Sequence, residues 1–179
     1  MRILAISGSL RAASSNTEVL RAAQALAPED VEIALYGGLG ELPLFNPDLD
    51  GEGAVLPLPV AAFRAEVQAA DGILLCSPEY AHGVPGVMKN ALDWLVSGSE
   101  VVGKPVASIN ASPWSTLAQA SLLETLRVMS TQVVAEASIA LPVQGGRLDA
   151  AKIVADPALS QALRAAVHAL VRAIAGESS

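Results

Sequence analysis

The sequence predicts an α/β fold: one parallel sheet with helices on both of its faces. Three observations carry that prediction. Short apolar runs that end in small or turn residues alternate with segments of helical apolar spacing, five times over, along the 179 residues. Hydrophobic residues make up 52% and charged residues 16%, which excludes disorder over most of the length and fits one domain with a sizeable core. Ala and Val are abundant while aromatic residues are only 3%, a balance that suits helices packed on a sheet better than an aromatic-filled β-sandwich.

"RILAIS" (2–7) reads as a buried parallel strand, short, apolar and closed by a glycine. Asn16 or Thr17 would cap the helix "TEVLRAAQALA" (17–27), where Val19, Leu20, Ala23 and Leu26 recur at helical spacing. "VEIALY" (31–36) is the second strand, and "GGLGELPLFNPDLDGEGAVLPLP" (37–59) a long Gly/Pro-rich loop. "VAAFRAEVQAA" (60–70) is helical and "DGILLCS" (71–77) the third strand. "VPGVMKNALDWLV" (84–96) is a helix with Pro85 in its first turn. "KPVASINAS" (104–112) is the fourth strand with its following turn, and "TLAQASLLETLRVMS" (116–130) the fourth helix. "ASIALPV" (137–143) is the fifth strand, with "QVVAEASIAL" able to move its start. "PALSQALRAAVHALVRAIA" (157–175) is the last helix.

Alternation of this kind, joined by right-handed crossovers, predicts a flavodoxin-like three-layer sandwich with a five-stranded parallel sheet in the order 2-1-3-4-5. No internal repeat is visible. Residues 1–176 read as a single domain, with 177–179 a frayed tail. In such sheets ligands sit beyond the carboxyl ends of the strands. The loops "GSLRAASSN" (8–16), "SPEYAHGVPG" (77–86) and "NASPWST" (110–116) should therefore meet there.

The net charge of −7 argues against nucleic acid as a partner, because a phosphate backbone demands a basic face. Any anion site must rely on local donors. Cys76 is the only cysteine, so neither an intrachain disulfide nor a cysteine-based metal cage can form, and no metal site is expected. At the end of a buried strand it reads as a small inert hydrophobe. No apolar run is long enough to span a membrane, and "MRILAIS" lacks a cleavage pattern, so the expectation is a cytoplasmic protein without membrane attachment.

The first loop is the most suggestive. Ser9, Ser14, Ser15, Asn16 and Thr17 offer hydrogen bonds, and Arg11 a fork of donors with a fixed charge. At the N-terminus of a helix, where the dipole favours negative charge, such a set suits a phosphate. The bland alternative is a Ser-rich turn with a helix cap. The loop is neither a Walker A sequence, since its lysine is missing, nor a GxGxxG fingerprint. In the second loop Pro78, Gly83, Pro85 and Gly86 fix the backbone around Glu79, Tyr80 and His82. A rigid backbone can aim N–H groups at the edge of a flat heteroaromatic ring, with Tyr80 packed beside it.

"GSLRAASSN" together with "SPEYAHGVPGVMKNALDW" resembles the NADPH-dependent FMN reductase family, flavodoxin-like flavoproteins that include quinone, chromate and azo-dye reductases. The resemblance runs over nearly the whole chain and includes "LPLFNPDLD" (42–50). It implies that Ser9, Arg11, Ser14, Asn16 and Thr17, with Ser15 among them, hold the phosphate of FMN. It also implies that Pro78, Glu79, Tyr80 and Ala81, followed by His82 and Gly83, line the isoalloxazine ring mainly through backbone. Many members carry asparagine in place of Ala81 and serine in place of Gly83. In the third loop Ser112 and Pro113 are the expected ring neighbours. The glycine pair common in relatives is replaced there by Trp114 and Ser115.

The implied activity is an FMN-dependent NAD(P)H oxidoreductase. Hydride passes from NADPH or NADH to the flavin, and electrons then pass to a quinone-like or other small acceptor. The alternative is a flavodoxin-like electron carrier without its own NAD(P)H activity, built on the same phosphate loop. No residue stands out as a catalytic acid, base or nucleophile. His82 reads as a structural loop histidine ahead of a proton donor to a reduced quinone, and Glu79 as a structural acceptor or interface partner ahead of a general base. Trp94 suits core and subunit packing equally, and Arg147 reads as a solvated charge. A flavin face left open on so short a chain points to a homodimer or homotetramer.

Overall fold

The computed structural model describes residues 1–51, 53–112, 114–141 and 149–177. Five strands, β1 (Arg2–Ser7), β2 (Glu32–Leu35), β3 (Gly72–Cys76), β4 (Pro105–Ile109) and β5 (Gln132–Val133), form one parallel sheet in the order β2-β1-β3-β4-β5. This is the flavodoxin-like order that the alternation predicts. The helices are α1 (Ser15–Leu26), α2 (Leu58–Ala69), α3 (Gly86–Asp93), α4 (Thr116–Val128), α5 (Ala150–Ala155) and α6 (Pro157–Ile174).

Side chains alternate across the sheet, so each central strand feeds two cores. Ile3, Ala5, Leu74, Cys76, Ala107 and Ile109 point to one face, where Val19, Leu20 and Ala23 of α1, Ile153 of α5 and Leu163 and Val167 of α6 cover them. Leu4, Ile6, Ile73, Leu75 and Val106 point to the other, against Phe63 and Val67 of α2, Met88 and Leu92 of α3 and Leu122 and Leu126 of α4. Strands buried on both faces explain why β1 and β3 read as unbroken apolar runs.

Trp94 belongs to the second core and is fully buried. Its indole Nε1–H donates to the Pro43 carbonyl (2.8 Å), and Phe45 meets it edge-on at 5.0 Å. Asn90 adds two bonds to the same stretch, accepting from the Phe45 N–H (2.8 Å) and donating to the Pro43 carbonyl (3.0 Å). Arg64, whose Nη2 donates to both Asp50 carboxylate oxygens at 2.8 and 3.0 Å, ties down its far end. The long loop is thus a strap fastened to α2 and α3, with 3-10 turns at Leu39–Glu41 and Pro47–Leu49.

Several boundaries differ from the sequence reading. The fifth strand, expected at 137–143, is Gln132–Val133, five residues earlier. Its continuation is interrupted by a 3-10 turn at Ala135–Ala137, and among the described residues only one bridge, Asn110 to Ala140, pairs it again with the segment that continues β4. The apolar character of that stretch comes from buried Ala137 and Leu141, not from ladder pairing. Helix α1 begins at Ser15 because Ser14, not Asn16 or Thr17, is the cap; its Oγ accepts from the Thr17 N–H. Pro85 is the residue before α3, not part of its first turn. Helix α5 went unforeseen, since one and a half turns leave no periodicity to read. Its N-cap is Asp149, whose carboxylate accepts from Lys152 N–H, and Asp156 caps α6 in the same way. The expected strand end at 142–143, Arg147, Pro113 and the tail at 178–179 lie outside the described residues.

Candidate flavin site

The carboxyl ends of β1, β3 and β4 bring the three loops together. The first crosses the second at close range. Gly8 N–H continues the ladder by donating to the Cys76 carbonyl (2.9 Å). A Cβ on Gly8 would stand 2.3 Å from Ser77 Oγ and 3.2 Å from Ser77 Cα, so only glycine lets the two backbones approach this way.

Within the first loop the hydroxyls build the framework. Thr17 Oγ1 donates to Ser7 Oγ (2.9 Å), Ser9 Oγ accepts from Arg11 N–H (3.4 Å), and Ser14 Oγ accepts from Thr17 N–H (3.5 Å). Asn16, freed from capping, is buried; its Oδ1 accepts from the Cys76 thiol (3.4 Å), which leaves the amide Nδ2 as a donor at the start of α1. Burial pushes the Cys76 thiol up and keeps it protonated, so it serves as that donor. Among the described residues the backbone N–H groups of Ala12, Ala13, Ser15 and Asn16 have no protein acceptor. Arg11 is exposed and forms no ion pair among them. Four backbone donors, an amide, hydroxyls and a guanidinium at a helix N-terminus are the donor set a phosphate requires.

The second loop is folded on itself. Tyr80 and Gly83 exchange both backbone hydrogen bonds (3.1 and 2.9 Å), and Ala81 and His82 between them take φ of 49° and 62°. The left-handed positions are thus Ala81 and His82, and not the glycines that the sequence reading credits with fixing the shape. Glu79 braces this turn. Its Oε2 accepts from the Ala118 N–H (2.8 Å), while Oε1 lies 3.2 Å from His82 Nδ1. The hydrogen bond from Ala118 holds the Glu79 carboxyl below the usual carboxylate range, opposed by partial desolvation and helped by His82. Ser115, the residue before α4, makes no side-chain cap, so Glu79 caps that helix from another loop. Tyr80 is 52% exposed beside it.

The third loop is pinned by Asn110, a residue the sequence reading passes over. Buried at the end of β4, Asn110 accepts from Ser112 N–H (2.9 Å) and donates to the Ser115 carbonyl (2.9 Å). A polar residue just beyond an apolar strand run is the signal that would have found it. Ser112 Oγ in turn accepts from Trp114 N–H (3.4 Å), and the Trp114 side chain is 87% exposed. Ser9, Ser14, Asn16 and Thr17 are therefore gathered at the start of α1, with Arg11 at the rim. Glu79 and His82 are linked to each other and, through Ala118, to the first turn of α4, which follows the third loop.

Comparison with known proteins agrees with this architecture. The sequence model of the family described as NADPH-dependent FMN reductase matches residues 1–145. An NAD(P)H-dependent FMN reductase from Pseudomonas aeruginosa is 35% identical over 161 residues, covering 83% of this chain and 85% of that protein. A 2-hydroxy-1,4-benzoquinone reductase from a Burkholderia species is 39% identical over 115 residues, 63% of this chain and 61% of that one. Among solved structures, the flavoenzyme NAD(P)H:(acceptor) oxidoreductase FerB from Paracoccus denitrificans superposes with a TM-score of 0.80 at 29% identity, covering 98% of both chains. With the sheet order, the loop geometry and a family match over most of its length, this chain belongs to the NADPH-dependent FMN reductase family.

Proposed function

We propose that this chain is an FMN-dependent NAD(P)H oxidoreductase that reduces a quinone-like small acceptor. The observation that supports it most directly is the set of N–H donors at Ala12, Ala13, Ser15 and Asn16 that have no acceptor among the described residues, at the mouth of α1 and beside a self-braced second loop. In this reading Ser9, Arg11, Ser14, Ser15, Asn16 and Thr17 surround the phosphate of FMN. The backbone of Pro78, Glu79, Tyr80, Ala81, His82 and Gly83, with Ser112 and Pro113, lines the ring. Ser14 acts through its cap and Thr17 through its bond to Ser7, so both shape the loop as much as they touch the ligand. Bound FMN supplies the hydride chemistry, while the protein supplies position and an anion-binding helix end.

The open rim must serve nicotinamide and acceptor in turn, which implies a ping-pong order. Residues 1–176 act as one functional unit, and the location is the cytoplasm, where NAD(P)H is formed. Among the described residues no helix is long and apolar enough to cross a membrane. Self-association is part of the proposal. Val96, Val102 and Val128 are each more than half exposed and line a groove of about 500 Å³ along α3 and α4, away from the three loops. A homodimer or homotetramer would cover them, and light scattering at micromolar concentration reads the mass. Purified protein should be yellow with a flavin spectrum and should oxidise NAD(P)H in the presence of a quinone. Parallel double-reciprocal plots would support the shared face. A protein that binds FMN but oxidises neither nicotinamide nucleotide would instead be an electron carrier.

A further inference from the structure

Reduction of a quinone to a hydroquinone takes up one hydride and one proton. The hydride carries both electrons, and the proton completes the second hydroxyl. We propose that His82 delivers that proton and that Glu79 is the residue that positions it; this rests on the reading of the chain as a quinone-type reductase.

The geometry is that of an oriented proton donor. A carboxylate can only accept, so Nδ1, 3.2 Å from Glu79 Oε1, must carry its hydrogen. That leaves Nε2 as the exchanging nitrogen, on a side chain that is 81% exposed at the rim of the site. Glu79 is itself immobilised, because its other oxygen accepts from the Ala118 N–H at 2.8 Å. One carboxylate thus both caps α4 and orients the imidazole. Among the described residues Glu79 is the one charged group paired with His82.

The backbone adds a second sign. His82 and Ala81 both sit at positive φ, 62° and 49°, although neither is glycine. Left-handed backbone at such residues is unfavourable and persists where the surroundings impose it. A tight turn alone would be served better by glycine. A histidine held there carries its imidazole on the second loop, with Nδ1 turned to Glu79, on the side where the acceptor must lie if the ring lies against that loop.

The step balances. The acceptor's one carbonyl system takes the hydride and becomes a hydroquinone monoanion. The Nε2–H of imidazolium passes to its phenolate oxygen, an N–H bond breaks and an O–H bond forms. His82 is left neutral with its hydrogen on Nδ1, the tautomer Glu79 accepts from, and water restores the proton.

Two measurements test this. The first uses the apoprotein. With two histidines in the chain, His82 and His168, ¹⁵N-histidine spectra are assigned by the His82→Gln variant. Neutral His82 is expected as the Nδ1–H tautomer, and in Glu79→Ala it should move toward the Nε2–H form. An Nε2–H tautomer in the unmodified protein overturns the proposal, and that spectrum decides the orientation even if Glu79→Ala does not fold. The second uses the FMN-loaded protein with benzoquinone and with ferricyanide, which takes an electron and no proton. His82→Gln should lower the ratio of benzoquinone to ferricyanide turnover about a hundred-fold or more. A ratio within about twofold of the unmodified enzyme refutes proton delivery. If neither acceptor supports NAD(P)H oxidation, the functional reading fails and the proton role with it, whereas a normal ferricyanide rate with an unchanged ratio removes His82 alone.

Discussion

The β1–α1 and β3–α3 loops lie side by side at the carboxyl end of the sheet, and they use their hydrogen bonds in opposite ways. Residues 8–16 keep backbone donors open: Ala12, Ala13, Ser15 and Asn16 have no acceptor among the described residues, and the hydroxyls hold the loop open around them. Residues 77–85 close on themselves through the Tyr80–Gly83 pair, and Glu79 fastens the turn to α4. One loop is a set of donors suited to an anion, and the other is a finished wall. Phosphate binding should therefore depend on individual donors and charges, whereas the ring end should depend on the integrity of the backbone.

The largest effect should come from the point where the two loops touch. In Gly8→Ala the new methyl would lie 2.9 Å from Ser77 Cβ and 3.2 Å from Ser77 Cα, contacts that no rotation of the Ser77 hydroxyl relieves. Forcing the loops apart should cost about 1–3 kcal/mol, roughly 3–10 °C in Tm, as read by thermal denaturation. FMN affinity should fall more than about tenfold, since both ends of the site move. A variant that keeps its Tm and its affinity would mean that the loops are not mechanically joined.

Next in size is Arg11→Ala, which separates the two regions. Arg11 supports nothing in the fold among the described residues, and the chain carries a net charge of −7. A charge-assisted hydrogen bond to phosphate contributes about 1.5–3 kcal/mol, so FMN should bind roughly ten- to a hundred-fold more weakly. Riboflavin, which lacks the phosphate, should respond far less in a parallel fluorescence titration. Equal losses for both flavins would move Arg11 from the phosphate to the ring pocket.

What sequence could and could not reveal follows the same division. Strand β1 and the 2-1-3-4-5 order were legible because burial on both faces leaves an unmistakable apolar run. Strand β5 was not, because an edge strand of two residues carries little pattern and the apolar residues nearby, Ala137 and Leu141, are buried for packing. Donor types in the first loop were readable from composition alone, although the cap fell on Ser14 because its hydroxyl reaches the Thr17 N–H. The brace from Glu79 to Ala118 spans 39 residues of sequence, and no local rule connects them. Left-handed backbone at Ala81 and His82 was equally hidden, because Gly83 and Gly86 were the residues that looked permissive.

A smaller effect tests that brace. The Glu79 carboxyl titrates lower when folded than when unfolded, because Ala118 N–H, then His82, favour its charged form. A depressed folded pKa contributes stability above the unfolded value, about 4.3 for Glu, and that contribution is lost as pH falls through the folded value. Glu79→Gln should therefore lower Tm by about 1–3 °C at pH 7, and the gap should narrow as pH falls below the unfolded value. A gap that persists undiminished at low pH would assign the effect to packing in place of charge.

A change of similar size and opposite sign concerns the strain in the closed loop. Ala81 sits at φ 49°, where an alanine methyl crowds the neighbouring carbonyl. Asparagine visits this region more readily, because its short polar side chain can hydrogen-bond locally, and unlike glycine it adds little freedom to the unfolded chain. Ala81→Asn should raise Tm by about 1–3 °C, equivalent to roughly 0.5–1 kcal/mol. The comparison between the loops gives the reason to look here: a wall that supports its own shape gains from relief of strain without any ligand, so the increase should appear in the apoprotein. An increase seen only after FMN is added would mean that the β3–α3 turn is shaped by the ligand, as the β1–α1 loop is, and the distinction between the two ends of the site would fall.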